Sequence, residues 1–175
     1  MDVSESAWAL SRLYHTVINC RDLDESVAFY RLLGFEILND RRNVVWPEFV
    51  AGIFGLGKAQ GRGVLMVLPT DPDGPMMDLI EWVEPRATFP DPGARKQTVP
   101  RIIAFRTQNV HGAYQALTKA GVVFTQPPHT PDAALGIVGT ACCYDPNGNI
   151  IEMIELQPGV RHSRANEALG GDKSH

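Results

Sequence analysis

The chain has 175 residues, of which 44% are apolar and 21% are charged, as expected of a globular protein that can bury a sizeable core. Its net charge of -4 argues against nucleic acid or an anionic membrane as a partner. No apolar run reaches the roughly 18 residues of a membrane span, and the N-terminus lacks the cationic region of a signal peptide. The three cysteines, Cys20, Cys142 and Cys143, form no C-x-x-C pair, which favours a reducing, cytoplasmic setting.

The first predicted elements are a strand and a helix in HTVINCRDLDESVAFYRLLGF, which begins at His15. Alternating apolar residues indicate the strand, and either Asp22 or Asp24 can cap the helix. Gly34 suits the left-handed position that follows a helix. We therefore expect a helix near residues 24–33.

An insertion follows in the first half of the chain. Residues 44–63, VVWPEFVAGIFGLGKAQGRG, contain Trp46, Pro47 and several glycines. They are interpreted as a loop or short helix before the strand VLMVLP. Because loops on a rigid scaffold often determine specificity, we expect this segment to shape ligand choice.

The second half repeats the first. IIAFRTQNVHGAYQALTKAGV begins at Ile102, 87 positions after His15, and repeats the strand and helix without a gap. Asn109 can cap this helix, which we expect near residues 110–120. Gly121 takes the place of Gly34.

A turn and a final strand also occur twice. DPDGPMMDLIEW begins at Asp71, and DPNGNIIEMIEL begins 74 positions later at Asp145. Proline fixes φ and glycine permits positive φ, so D-P-x-G suits a tight reversal before each strand. Asp78 falls where Glu152 falls, so each copy has a carboxylate early in an apolar strand.

The repeat defines two modules with the element order βαβββ. The predicted boundaries are an N-terminal extension (1–11), module 1 (12–85), a proline-rich linker (86–100), module 2 (101–158) and a flexible tail (159–175). One helix over one small sheet is a poor core by itself, so the modules are expected to need each other.

Two such modules resemble the vicinal oxygen chelate superfamily, which includes glyoxalase I, methylmalonyl-CoA epimerase, extradiol dioxygenases and the bleomycin- and fosfomycin-resistance proteins. The resemblance covers residues 13–158, and its most specific part is YDPNGNIIEMIEL, because DPxGxxIEL closes the module in many members. It implies an α+β fold in which tandem βαβββ modules form a curved mixed sheet with a shared cleft and helices on the outer face.

The resemblance also implies a divalent-metal site with ligands from the first and fourth strands of each module. Those places fall on His15, Asp78, Ile102 and Glu152. Ile102 replaces the usual second histidine and cannot bind a metal. The other three residues can still hold Mn²⁺, Mg²⁺, Fe²⁺, Ni²⁺ or Zn²⁺ with water at the open positions, and oxygen-rich ligation favours the first three. The alternative is that no ion is bound.

The implied activity is metal-assisted proton transfer, as in an isomerase, epimerase or lyase, on a small hydroxy or keto compound. Glu152 is the expected base, with Asp78 as ligand or second acid/base. Extradiol oxygenation fits badly, because Ile102 removes one histidine of its iron site. The alternative function is a metal-free small-molecule-binding or antibiotic-sequestering protein of the bleomycin-resistance type, which Ile102, Trp46, Trp82 and the insertion favour.

Strand alternation identifies further residues on the same faces as the carboxylates. Asn19, Arg106, Trp82 and Ile102 are candidates for binding substrate. Arg106 could instead form a salt bridge at the sheet rim, and Trp82 could be ordinary core.

Two more glutamates lie on these strands. Glu81 and Glu155 fall on the opposite faces by alternation and are interpreted as surface or edge charges. Two structural interpretations also stay open, since His15 could be structural and Asp78 could bond to its neighbouring turn.

We expect a homodimer, because members of the superfamily usually dimerise and open sheet edges gain by pairing.

Overall fold

A computed structural model describes residues 12–56, 59–89, 101–130 and 136–160. The predicted N-terminal extension, most of the predicted linker and all but the first residues of the predicted tail lie outside the described residues. No helix in the described part of the chain is long and apolar enough to cross a membrane.

The described part of the chain forms seven strands and three helices. In chain order they are β1 (His15–Asn19), α1 (Leu23–Leu32), β2 (Glu36–Arg41), α2 (Glu48–Ile53), β3 (Gln60–Val67), β4 (Met76–Glu84), β5 (Ile102–Thr107), α3 (Val110–Lys119), β6 (Ile137–Tyr144) and β7 (Ile150–Leu156). Both long helices therefore lie within one residue of their predicted bounds. Within the insertion, the short helix α2 forms and β3 begins at Gln60, earlier than the sequence indicated.

The chain divides into two compact units. Unit 1 comprises residues 1–99 together with 145–148. Its four-stranded sheet has the order β1-β4-β3-β2, in which β1 and β4 are parallel and the other neighbours are antiparallel. Helix α1 packs on β3 and β4, and buries Leu23, Val27 and Tyr30.

Unit 2 comprises residues 100–144 and 149–175. Its three-stranded sheet has the order β5-β7-β6, with β5 and β7 parallel, and α3 packs on β6 and β7. The strand expected after α3 is reduced to two isolated bridges to β6, one between Phe124 and Cys143 and one between His129 and Thr140. The prediction of an α+β fold built from two βαβββ-like modules is confirmed.

Matching caps begin and end the two long helices. Asp22, and not Asp24, caps α1, and Asn109 caps α3; each side chain accepts a hydrogen bond from the backbone N–H three residues on, at 2.9 and 2.7 Å. Gly34 and Gly121 follow the helices with φ values of 92° and 90°. A side chain would be strained at either glycine, which explains why both copies of the repeat have glycine there.

The interpretation of Glu81 and Glu155 as surface or edge charges was wrong. Glu81 is only 8% exposed, and its Oε2 accepts hydrogen bonds from the Leu23 N–H and the Arg62 guanidinium, both at 3.0 Å. Glu155 accepts the Val110 N–H at 2.8 Å in the same way. Each carboxylate therefore binds the first N–H of its unit's long helix, where the helix dipole favours negative charge.

Replacing Glu81 with alanine should destabilise the protein by about 1–3 kcal/mol, because a helix N–H and a half-buried guanidinium lose their common acceptor. Urea denaturation would measure the loss. Glu84→Ala, at an exposed position on the same strand, is the matched control and should change the free energy of unfolding by less than about 0.5 kcal/mol. Equal effects of the two substitutions would contradict the anchoring role of Glu81.

The turn at residues 145–148 belongs to unit 1, although it lies between two strands of unit 2. The buried Tyr30 hydroxyl donates to Asp145 Oδ2 at 3.0 Å, and the Arg21 N–H donates to Asn147 Oδ1 at 2.8 Å. Asp145 and Asn147 are themselves buried. The D-P-N-G sequence therefore supplies polar partners to α1 as well as reversing the chain.

Candidate functional site

Unit 1 has one sheet face that lies opposite the long helix α1. We call it the helix-free face of unit 1 because α1 does not cover it, although the short helix α2 contacts β3. Strand register places on it His15, Val17 and Asn19 of β1, Asp78, Ile80 and Trp82 of β4, and Gly61, Gly63 and Leu65 of β3. The Trp82 Nε1–H donates to Asn19 Oδ1 at 3.1 Å, so these two predicted substrate-binding residues are paired with each other.

Asp78 lies at the middle of this face, between Val17 and Leu65. Burial raises the pKa of its carboxyl group, and the positive charges of His15 and Arg41 partly offset that rise. No hydrogen bond to this carboxylate occurs among the described residues, so it does not bond to the neighbouring turn there. A half-buried carboxylate without hydrogen bonds is stabilised by a proton or a nearby cation.

In metal-free protein, Asp78→Asn should raise the melting temperature at pH 7. The raised pKa means that the folded protein holds this proton more tightly than the unfolded chain, so the ionised carboxyl disfavours folding. The gain should shrink as pH falls through the raised pKa of the folded protein, and little of it should remain below the ordinary value of 3.8, where the carboxyl is mostly protonated in both states. Calorimetry with chelator at pH 7 and pH 3.5 tests this.

Asp73→Asn, in the exposed turn before β4, is the control for the loss of one negative charge. A lower melting temperature for Asp78→Asn than for Asp73→Asn at pH 7 would mean that the folded protein stabilises the ionised Asp78.

Aromatic side chains cover one end of the helix-free face of unit 1. A Cβ added to Gly63 would lie 2.8 Å from Trp46 Cζ2, and one added to Gly61 would lie 3.1 Å from Trp82 Cε3. The backbone N–H of Trp46 donates to the Gly61 carbonyl at 2.7 Å. Phe54 meets Trp82 edge-on, with ring centroids 6.1 Å apart. The insertion thus lies against this face, and glycines on β3 make room for the indoles.

Unit 2 has an equivalent helix-free face, opposite α3. Glu152 of β7 lies there, in register with Ala104 of β5 and Cys142 of β6. Ile102 and Arg106 share the face by alternation, and both are exposed, Ile102 by 56%. No salt bridge of Arg106 is found among the described residues. Alternation therefore grouped these side chains correctly within the unit.

Glu152 lies beside Thr140 and Cys142 of β6. The Thr140 hydroxyl lies 3.4 Å from Glu152 Oε1, a long hydrogen bond. Burial, and then the negative charge of Glu152, raise the pKa of the Cys142 thiol. A raised thiol pKa disfavours the thiolate, so Cys142 is poorly suited to act as a nucleophile.

The predicted metal ligands are divided between the units. His15 and Asp78 share the helix-free face of unit 1, whereas Glu152 lies in unit 2. Within the described residues, no three His, Cys, Asp or Glu side chains gather closely enough to hold a metal ion. Unit 1 alone therefore supplies one imidazole and one carboxylate to the same face.

The sequence profile of the glyoxalase/bleomycin resistance protein/dioxygenase superfamily matches residues 12–153, most of the chain. The chain belongs to this superfamily. No curated protein matches it. The resemblance inferred from the repeat is thereby confirmed, and superfamily membership accounts for the two tandem modules.

Solved structures of other superfamily members share the fold. A glyoxalase family protein from Bacillus cereus is 18% identical with a TM-score of 0.70, and the match covers 88% of this chain and 99% of that one. A glyoxalase/dioxygenase from Nostoc punctiforme is 24% identical with a TM-score of 0.57 over 87% and 97%. A mutant of glyoxalase I from Zea mays is 15% identical with a TM-score of 0.59 over 83% of this chain and 45% of that one. At these identities the likeness concerns the fold alone.

Proposed function

We propose that the protein is a glyoxalase-like enzyme that catalyses metal-assisted proton transfer, as an isomerase, epimerase or lyase, on a small hydroxy or keto compound. The observation that carries this proposal is the matched pair of carboxylates. Asp78 and Glu152 occupy equivalent places in the repeat, each on the helix-free face of its unit. Two carboxylates of this kind can serve as a proton acceptor and as a metal ligand or second acid/base.

The residues present fit a divalent cation in their donor chemistry. His15 and Asp78 offer a nitrogen and an oxygen on one face, and Asp78 has no hydrogen bond among the described residues that would compete with a metal. We propose that Glu152 completes the set. When bound, such an ion would polarise an oxygen of the substrate, which makes a neighbouring C–H more acidic.

In this proposal the protein's own groups move the proton. Glu152 removes it from the carbon beside the substrate's carbonyl or hydroxyl. Asp78, whose pKa burial raises, returns a proton on the other side or stays ionised as a ligand. Asn19 and Arg106 are proposed to bind polar groups of the substrate, and Trp82 its apolar part.

Metal analysis tests the proposal. Protein purified without chelator should contain a divalent ion in a fixed ratio, and His15→Ala should lose it. His129→Ala, at an exposed histidine of a loop, is the control and should keep it. Equal metal content in the parent and both variants would remove His15 from the site.

A second candidate function is metal-free binding of a small apolar molecule. The specific observation in its favour is the aromatic cover formed by Trp46, Phe54 and Trp82 over the glycines of β3. This candidate replaces the first if calorimetry finds no binding of Mn²⁺, Ni²⁺ or Zn²⁺ to the parent protein.

We also propose that the protein is a homodimer. Strands β2 and β6 form edges of their sheets, and unpaired strand edges gain by association. Light scattering at micromolar concentration should give about twice the chain mass of 19.2 kDa. A monomer across that concentration range would contradict this.

A cytoplasmic setting belongs to the same proposal. Cys20, Cys142 and Cys143 are not joined by disulfides in the described part of the chain, and Cys20 and Cys143 are buried. Burial raises the pKa of the Cys20 thiol to about 12, which disfavours its oxidation. Titration of unfolded protein with a thiol reagent should find three free thiols, and fewer would contradict a reducing compartment.

A further inference from the structure

Arg41, at the end of the edge strand β2, belongs to the helix-free face of unit 1. It pairs in register with Gly63, whereas its neighbour Asp40 pairs with Val64, a core residue. Asp40 lies on the side of α1, because Arg42 bridges Asp40 and Asp24 of that helix at 2.6 and 2.7 Å. Alternation along β2 therefore directs Arg41 to the opposite face.

The guanidinium of Arg41 has no ion pair or hydrogen bond among the described residues. This distinguishes it from Arg42, which pairs with two aspartates, and from Arg62, which pairs with Glu81. Arg41 is exposed; burial raises the pKa of the Asp78 carboxyl on this face, and the positive charges of His15 and then Arg41 partly offset that rise. A cation on this face is thus available to an anion from solution.

The indole of Trp46 lies at the same place and has an unsatisfied donor. Its Cζ2 lies against Gly63, the register partner of Arg41, and Cζ2 belongs to the edge of the ring that carries the N–H. Trp46 Nε1 is buried and has no hydrogen-bond partner within the described part of the chain. A buried donor without an acceptor is unfavourable, and most such groups in native proteins have a partner.

We propose that Arg41 and Trp46 form a subsite for the carboxylate of an aromatic acid, whose ring packs against Trp82 and Phe54. The carboxylate would pair with the guanidinium and accept the indole N–H. Phe54 is 51% exposed and meets Trp82 edge-on, which leaves aromatic surface for a ring of the ligand. The subsite names an aryl-substituted carboxylic acid as the substrate class. The reaction on that substrate still rests on the proposed function.

The charges on this face favour a carboxylate over a phosphate. One guanidinium and one neutral N–H match a single negative charge. A phosphate monoester carries nearly two negative charges at neutral pH, so a negative charge on Asp78 of the same face would repel it more strongly than it would repel a carboxylate. The two kinds of anion are therefore distinguishable by binding.

Calorimetry with chelator tests the subsite without any metal. Phenylacetate should bind at least about tenfold more tightly than acetate, which lacks the ring, or benzyl alcohol, which lacks the charge. Arg41→Gln should weaken phenylacetate about tenfold or more and leave benzyl alcohol unchanged, because a charge-assisted hydrogen bond is lost. Trp46→Phe, which keeps a ring and removes the N–H, should weaken phenylacetate in the same way.

Arg31→Gln is the matched control, since Arg31 is an exposed arginine in the last turn of α1, and it should leave all affinities unchanged. Arg41→Lys should restore part of the phenylacetate affinity. Equal binding of phenylacetate by the parent and Arg41→Gln would overturn the subsite, and tighter binding of phenyl phosphate would overturn the carboxylate assignment. Because these titrations contain chelator, they do not depend on whether the protein binds a metal. If metal analysis finds an ion but phenylacetate does not bind, only the subsite is overturned.

Discussion

Replacing Ile102 with histidine should raise the affinity for divalent cations by about tenfold or more, which corresponds to ~1.4 kcal/mol. Ile102 is exposed on the helix-free face of unit 2, and Glu152 lies two register positions along the neighbouring parallel strand. A new imidazole there would share the face with the Glu152 carboxylate and replace a water in the first coordination shell. Titration calorimetry with Mn²⁺, Ni²⁺ and Zn²⁺ on the parent and the variant measures the gain.

Val123→His is the control for this substitution. Val123 is 67% exposed and lies outside the strands. A histidine there adds an imidazole at a position that is not among the predicted metal ligands. An equal gain from Val123→His would mean that any surface histidine suffices. No binding by the parent and none by Ile102→His would overturn the metal-enzyme proposal.

Replacing Glu152 with glutamine should slow proton transfer about 10²–10⁴-fold, the usual contribution of a general base. The amide keeps the shape of the side chain and cannot accept a proton. A panel of small 2-hydroxy and 2-oxo acids in D₂O, observed by NMR, would report exchange of the hydrogen beside the carbonyl or hydroxyl. The panel should include aromatic members, in view of the subsite at Arg41.

Glu84→Gln is the control for Glu152→Gln, because it removes the same charge at an exposed position on another strand. This variant should catalyse hydrogen exchange at the parent rate. If no compound of the panel exchanges with the parent protein, the enzyme proposal falls. If Glu152→Gln exchanges at the parent rate, Glu152 is not the base.

The repeat made most of the fold predictable from sequence. Strand alternation and glycine after each helix are local signals, so α1 and α3 were placed within a residue and both carboxylates on the correct faces. The second strand of module 2 was not predicted correctly, because the residues after α3 form only two isolated bridges to β6, at Phe124 and His129, and no continuous strand. Pairing of strands depends on long-range register, which local patterns do not contain.

The errors at the site have a common cause. Alternation placed Glu81 and Glu155 away from Asp78 and Glu152, but it cannot show that a helix begins directly over that opposite face. The sequence did contain a sign of this role. Both glutamates stand at matching places of the repeat, and a helix N-terminus attracts carboxylates.

Of the two residues of the proposed subsite, Trp46 was named from the sequence and Arg41 was not. Arg41 lies beyond a bulge in β2, which shifts the register between Ile37 and Asn39 and therefore the face on which later residues lie. Trp46 belongs to the insertion, which has no counterpart in the second copy of the repeat. One feature of the sequence indicates where Trp46 packs. Gly61 and Gly63 leave space on β3 for a large side chain from the insertion.

The turn at residues 145–148 has a consequence for the order in which the protein is made. Unit 1 has its own strands and α1 early in the chain, but the partners of the Tyr30 hydroxyl and the Arg21 N–H are translated much later. On the ribosome, α1 must therefore wait for most of unit 2 before its polar contacts are complete. For the same reason an N-terminal fragment that stops in the linker lacks part of its own interior, and cutting the gene between the repeats does not yield an intact half.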